Sequence, residues 1–292
     1  MQFIQKKQIE PYMYFKLNRI AYIFCCLFFT SCVVFQAKRV PNNNLDWSLQ
    51  VPKEAKKRII LFLGDSITHG RVSYDYVNAI AKNKFFENDI VVNEGINSRL
   101  TNQLLGKLDD VEKLNPDFVF ILIGTNDAKA ALNEEEYKRY KSVWSLTDPV
   151  DKTSFINNLS NIAERIKTKT KASVVFISLP LLGEDPSSIP FQQAKAYACY
   201  TKQIAKDRGL DYLPFFETLE SKIFEEIKRG FHPRSYESGV WSMYWTILRY
   251  YSTTQTWDDL SSSNGYYFLT DGIHLNERAG KILESMILEK LK

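Results

Sequence analysis

The chain has 292 residues, 45% of them hydrophobic, and a length of that order buries one substantial core rather than several. Its 38 Lys and Arg stand against 34 Asp and Glu, and part of the small excess sits near the N-terminus, so charge points to neither nucleic acid nor a polybasic membrane surface as a partner. The absence of a fixed-period repeat, a long run of like charge or a Gly/Ser-rich linker excludes repeat and disordered architectures.

From Ile20 to Phe35 the sequence is apolar apart from Thr30 and Ser31, with Lys16 and Arg19 upstream and Lys38 and Arg39 downstream. A basic flank, a short apolar stretch and small polar residues predict an export signal over residues 1–39. The stretch is shorter than the ~20 apolar residues that span a bilayer comfortably. Phe29-Thr30-Ser31-Cys32 resembles a relaxed lipobox, with Phe29 in place of the usual Leu, which makes Cys32 the expected site of lipidation. Initiation at Met13 would leave a segment with the proportions of a lipoprotein signal. The alternative is an uncleaved anchor, because positive residues flank both ends. Either way the expectation is an exported protein, a membrane-anchored lipoprotein or a periplasmic or cell-surface one. Residues 40–57, with Pro41, three Asn and Pro52, read as a linker.

Cys25, Cys26 and Cys32 lie in the apolar run and only Cys199 lies in the body, so no disulfide is expected within the domain. Cys199 is expected to be a buried, inert thiol on a helix. His69, His232 and His274 lack the short spacing of zinc motifs, so no metal is expected.

Over residues 58–292, short β-branched and aromatic runs alternate with stretches of helical period, the pattern of βαβ units and a parallel sheet. Strands are predicted at Arg58–Leu63, Asp89–Asn93, Phe118–Ile123, Ser173–Ser178 and Leu210–Leu213. Helices are predicted at Ser73–Phe86, Thr101–Leu114, Ser154–Lys169, Phe191–Asp207, Phe215–Lys228 and Asn276–Leu291. Insertions are expected near 128–151 and 231–268. In the second, Val240, Tyr244, Ile247, Leu248 and Tyr251 recur at helical spacing, with Trp241 and Trp245 on a neighbouring stripe. They predict a helix packed on the core, or in part the wall of a pocket.

Ligands of such sheets bind beyond the carboxyl ends of the strands. Gly64-Asp65-Ser66 follows the first strand, where Ser66 can expose its hydroxyl and present its N–H to a reacting group. Taken alone, the triplet reads equally well as a helix cap. Asn93-Glu94-Gly95-Ile96-Asn97-Ser98 follows the second strand and Gly124-Thr125-Asn126-Asp127 the third, offering a closely approachable glycine N–H and a side-chain amide to an oxyanion. Asn and Gly are also ordinary turn residues. Near the C-terminus, Asp271-Gly272-Ile273-His274 sets an acid three residues from an imidazole, so that Asp271 can hold one ring nitrogen and leave the other as base. The plain reading is a loop aspartate and a surface histidine. His69 lies too close to Ser66 in sequence to serve easily as its base and reads as a loop or pocket-wall residue.

The four blocks in this order resemble the SGNH/GDSL hydrolase superfamily, over the chain from about Leu61 onward. The resemblance implies a three-layer α/β/α sandwich on a doubly wound, flavodoxin-like parallel sheet of about five strands, and a serine acyl-enzyme mechanism without metal or cofactor. It implies catalytic roles for Ser66, Asp271 and His274 and an oxyanion hole of Ser66, Gly95 and Asn126. The second block of the family often carries another glycine, and Ser98 stands near that position. The substrate expected is a small-molecule, glycan or lipid ester: a sugar O-acetyl ester, or the ester of a lysophospholipase or lipase. The alternatives are an acyltransferase with the same triad and an inactive surface-binding lipoprotein.

Overall fold

The computed structural model describes residues 33–51, 57–238 and 241–292. Residues 1–32, which hold most of the expected export segment and Cys32, lie outside the described residues. Residues 33–38 are helical and belong to a unit separate from Val40–Lys292.

In the larger unit, α1 (Leu45–Ser48) precedes β1 (Ile59–Gly64). Then follow α2 (Ser66–His69), α3 (Tyr76–Ala81), β2 (Ile90–Gly95), α4 (Thr101–Leu105), α5 (Leu108–Leu114) and β3 (Phe118–Leu122). The chain continues through α6 (Thr125–Ala130), α7 (Glu134–Trp144), α8 (Lys152–Lys169), β4 (Ser173–Ile177), α9 (Ile189–Arg208) and β5 (Asp211–Leu213). It closes with α10 (Phe215–Lys228), α11 (Trp241–Ser252), α12 (Trp257–Ser263) and α13 (Glu277–Leu291).

The five strands form one parallel sheet in the order β2-β1-β3-β4-β5. Right-handed crossovers fix the layers. The step from β1 to β2 runs one way along the sheet and the later steps run the other, so their helices fall on opposite faces. Accordingly α3 packs with α13, whereas α4, α5 and α9 all pack against α8. β1 is buried on both faces, which explains the unbroken apolar run Ile59-Ile60-Leu61-Phe62-Leu63, whereas the edge strand β5 is half-exposed. Phe62 and Phe120, level across β1 and β3, stack at 5.2 Å in the middle of the core. The register also sets Gly64 level with both Gly95 and Leu122, so the first three strands end at one edge. This α/β fold is the one the motif order implies.

Several expectations change. The stretch 40–57 is not simply a tether: Leu45 is completely buried in the main core and its N–H donates to Glu94 Oε2 at 3.1 Å. Asn43 Nδ2 bonds the carbonyl of Val91 at 2.9 Å, holding this segment to β2. The run of polar and turn residues around Leu45 hides a single apolar anchor, too sparse for a periodic signal. The predicted helix Ser73–Phe86 begins only at Tyr76, because Ser73 Oγ accepts the N–H of Leu275 and Tyr74 N–H goes to the carbonyl of Leu275. Thr101–Leu114 is two helices, divided at Gly106 and Lys107. Residues 128–151 contain α7, and 231–268 contain α11 and α12. On α11, Ile247 is buried, but Trp241, Tyr244 and Trp245 are exposed, so the aromatic stripe is not core. Cys199 is on α9 as predicted, yet exposed rather than buried. Among the described residues, no helix is long and apolar enough to cross a membrane and no group of three His, Cys, Asp or Glu side chains is placed to hold a metal ion.

Leu45→Ala should lower the unfolding free energy by about 2–5 kcal/mol, the cost of emptying a core position. Urea denaturation measures it; a change near zero would return this segment to the role of a tether.

Candidate active site

At the carboxyl edge of the sheet, β1 passes through Asp65 into the single turn of α2. Asp65 caps that turn by accepting the N–H of Ile67 at 3.0 Å, and Ser66 is its first residue, so the Ser66 N–H has no partner within the helix. Ser66 is 8% exposed, enough for its hydroxyl to face a ligand while the rest of the turn is covered.

His274 comes to this hydroxyl from the other end of the chain. Its Nε2 lies 2.9 Å from Ser66 Oγ and its Nδ1 lies 2.8 Å from Asp271 Oδ2. The other oxygen of Asp271 accepts the N–H groups of Ile273 and His274 at 3.1 and 3.0 Å, which closes the four-residue turn and fixes acid and imidazole together. Burial alone would raise the Asp271 carboxyl, but its interaction with His274 and these hydrogen bonds hold it below the ordinary range, so it is an anion. An anion on Nδ1 keeps the ring proton there and leaves Nε2 as the acceptor facing Ser66.

The loop carrying this pair is clamped. Thr270 N–H bonds the carbonyl of His274 at 2.8 Å, Gly183 N–H bonds that of Gly272 at 2.8 Å, and Leu275 is tied to Ser73 and Tyr74 as described. Beneath it the fully buried Glu184, in the loop after β4, accepts three successive backbone N–H groups, from Tyr267, Phe268 and Leu269, at 2.7, 2.7 and 2.8 Å. Glu184 gave no sequence signal, since its partners lie more than 80 residues away.

The oxyanion side is only partly as expected. Asn126 sits in the first turn of α6, and its Nδ2 donates to the carbonyl of Arg99 at 3.0 Å, which leaves a second hydrogen on the same nitrogen. Gly95 is a correction. Its N–H donates to Asn93 Oδ1 at 2.9 Å and is engaged within its own strand end. What Gly95 supplies is the lack of a side chain: a Cβ there would lie 2.1 Å from the backbone nitrogen of His69. β2 can therefore press against the turn that carries Ser66, and Asn93 Nδ2 completes the seam by donating to the carbonyl of Thr68 at 2.9 Å. Ser98 has φ 61, the left-handed conformation that favours glycine. His69 is buried in this seam at the end of α2.

The charged groups around the site are buried, among them the Arg99–Glu94 ion pair at 2.7 Å. Burial pushes the Asp65 carboxyl up to about 6, against the pull of the Ile67 N–H and of His274. Lys129, one turn beyond Asn126, lies 5.1 and 5.7 Å from the ring centres of Tyr236 and Tyr140, and burial lowers its ammonium to about 8. Asp127 ties the third block to α4 by accepting the N–H and hydroxyl of Thr101.

The decisive comparison is with protein families. The model of the GDSL-like lipase/acylhydrolase family matches residues 62–235, more than half of the chain. This chain belongs to that family. Like the family as a whole, it is a serine hydrolase of carboxylic esters. Among solved structures, the fold is similar to that of the acetyl xylan esterase AlAXEase, with 15% identity, a TM-score of 0.57 and coverage of 80% of this chain and 100% of the other. It is also similar to that of Axe2, an acetylxylan esterase from Geobacillus stearothermophilus, with 18% identity, a TM-score of 0.54 and coverage of 80% and 94%. No curated protein matches the sequence.

In this GDSL-family site, Glu184→Gln should weaken the clamp. An amide oxygen can still accept the N–H groups of Phe268 and Leu269, but the amide nitrogen would then face the N–H of Tyr267. A loss of about 1–3 kcal/mol is expected, read as a lower thermal midpoint. Unchanged stability would show that the loop holds itself.

Proposed function

We propose that this chain deacetylates a sugar ester, with Ser66 as nucleophile, His274 as general base and Asp271 orienting it. The observation that carries the catalytic assignment is the unbroken contact from Ser66 Oγ through His274 to Asp271, at 2.9 and 2.8 Å. His274 Nε2 takes the hydroxyl proton as Ser66 Oγ attacks the carbonyl carbon, and the carbonyl oxygen becomes an oxyanion. Collapse breaks the bond to the leaving alcohol, which receives the proton from His274. Water then attacks the acyl-enzyme by the same route and releases the acid.

The oxyanion is held by the Ser66 N–H and the free hydrogen of Asn126 Nδ2. With the Gly95 N–H engaged, the third donor is assigned to Ser98. Two facts support this: its left-handed backbone, and its place directly before Arg99, whose carbonyl takes the other hydrogen of Asn126. Strain of this kind in a non-glycine residue is a mark of functional sites.

The sugar acetyl substrate is supported by the acetyl xylan esterase activities of the two similar structures and by the exposed aromatic side chains of α11, whose Tyr251 hydroxyl bonds the carbonyl of Arg71 close behind α2. Export and attachment through Cys32 are supported by the pattern of residues 16–39.

Ser66→Ala should abolish hydrolysis of acetylated oligosaccharide and of p-nitrophenyl acetate without changing the thermal midpoint, and should abolish labelling by a fluorophosphonate. Retained turnover in that variant removes the assignment. Activity confined to long-chain esters would replace the sugar substrate with a lipid. Asn126→Ala should cost about 10²–10³ in kcat with the fold intact.

A further inference from the structure

Helix α7 lies in a stretch that reads as an insertion, yet two of its side chains reach the oxyanion loop. Tyr140 Oη donates to Asn126 Oδ1 at 2.7 Å, and Trp144 Nε1 donates to the carbonyl of Ser98 at 2.6 Å. The two residues are four apart, so one helix face presents both. That face is seated on a satellite core separate from the main one, formed by Leu100, Ala130, Tyr140 and Leu146, with Tyr137, Trp144 and Val150 packed against it. Leu100 directly follows Arg99, and Ala130 ends α6, so the satellite core joins the β2–α4 loop to the helix of Asn126.

We propose that α7 braces the oxyanion hole, with Tyr140 and Trp144 as positioning residues that act through Asn126 and Ser98. An amide whose oxygen accepts from a buried phenol cannot flip, and its nitrogen must point the other way, with one hydrogen on Arg99 and one toward the substrate. Donation to Oδ1 also polarises the amide and strengthens its N–H groups as donors, as in any chain of hydrogen bonds at low local dielectric. Burial keeps the Tyr140 phenol protonated far beyond the working pH range, so it serves as a donor throughout. Trp144 fixes the peptide that follows Ser98, which holds the strained residue in its left-handed conformation.

This inference rests on the ester-hydrolase reading above and is tested separately from it. Tyr140→Phe keeps the ring and removes only the donor. With p-nitrophenyl acetate it should lower kcat about tenfold and leave KM within about twofold, and in an Asn126→Ala background it should produce almost no further loss, because the two act as one unit. Trp144→Phe, made independently, should also lower kcat more than it alters KM. A boronic acid that mimics the tetrahedral state should bind both variants more weakly in proportion to kcat. If Asn126→Ala loses activity while Tyr140→Phe and Trp144→Phe keep wild-type kcat, the brace is refuted and the oxyanion assignment stands. Losses that multiply in the double variant also refute it, since Tyr140 would then act elsewhere. Full activity in all of them refutes both.

Discussion

The segment that brings Asp271 and His274 to the carboxyl edge of this sheet depends on one buried acidic side chain. Glu184 is fully buried and gathers the N–H groups of Tyr267, Phe268 and Leu269, three consecutive residues of the segment that delivers Asp271 and His274. Such a segment cannot bury its backbone without partners for those donors. A loop that runs over the end of a parallel sheet has no neighbouring strand to supply them. Glu184 takes the place of that strand, and the antiparallel bridge between Leu269 and Leu275 then closes the turn above it.

The other half of the site is fixed by shape rather than charge. Gly64 and Gly95 stand level on adjacent strands, and the missing side chain of Gly95 lets β2 meet the turn of Ser66 at a distance no other residue allows. Asn93 spends both ends of its amide on this seam, one on the Gly95 N–H and one on the Thr68 carbonyl. Ser66 is thus built into the rigid edge of the sheet, while Asp271 and His274 ride on a clamped loop. Precise contact between them needs both supports, because a displacement of about 1 Å is enough to cost a large part of the rate.

The sequence made the scaffold readable because its signals are local. All five strands appear within two residues of their expected bounds: β1, β3 and β4 are apolar runs covered on both faces, and the short, half-exposed edge strand β5 follows directly on the helix before it. The meeting of Ser66, His274 and Asp271 was legible from the order of the blocks that carry them. What escaped were residues whose meaning is set by distant partners. Leu45 is one apolar residue among turn formers, Glu184 is an ordinary acid until the loop at 267–269 closes over it, and Gly95 was read as a donor when the structure uses its emptiness. Tyr137, Tyr140 and Trp144 did carry a helical spacing within 134–144, and that period could have marked α7 as a packed helix rather than a loose insertion. The aromatic residues of α11 misled in the opposite direction: their period is helical, but Trp241 and Trp245 turn outward.

The 208 residues that separate the hydroxyl of Ser66 from the imidazole of His274 also order events in time. Ribosomes make the strand that leads to Ser66 long before the loop that holds His274. Until that loop emerges and docks, the nascent polypeptide holds Ser66 without the imidazole that meets it in the folded chain.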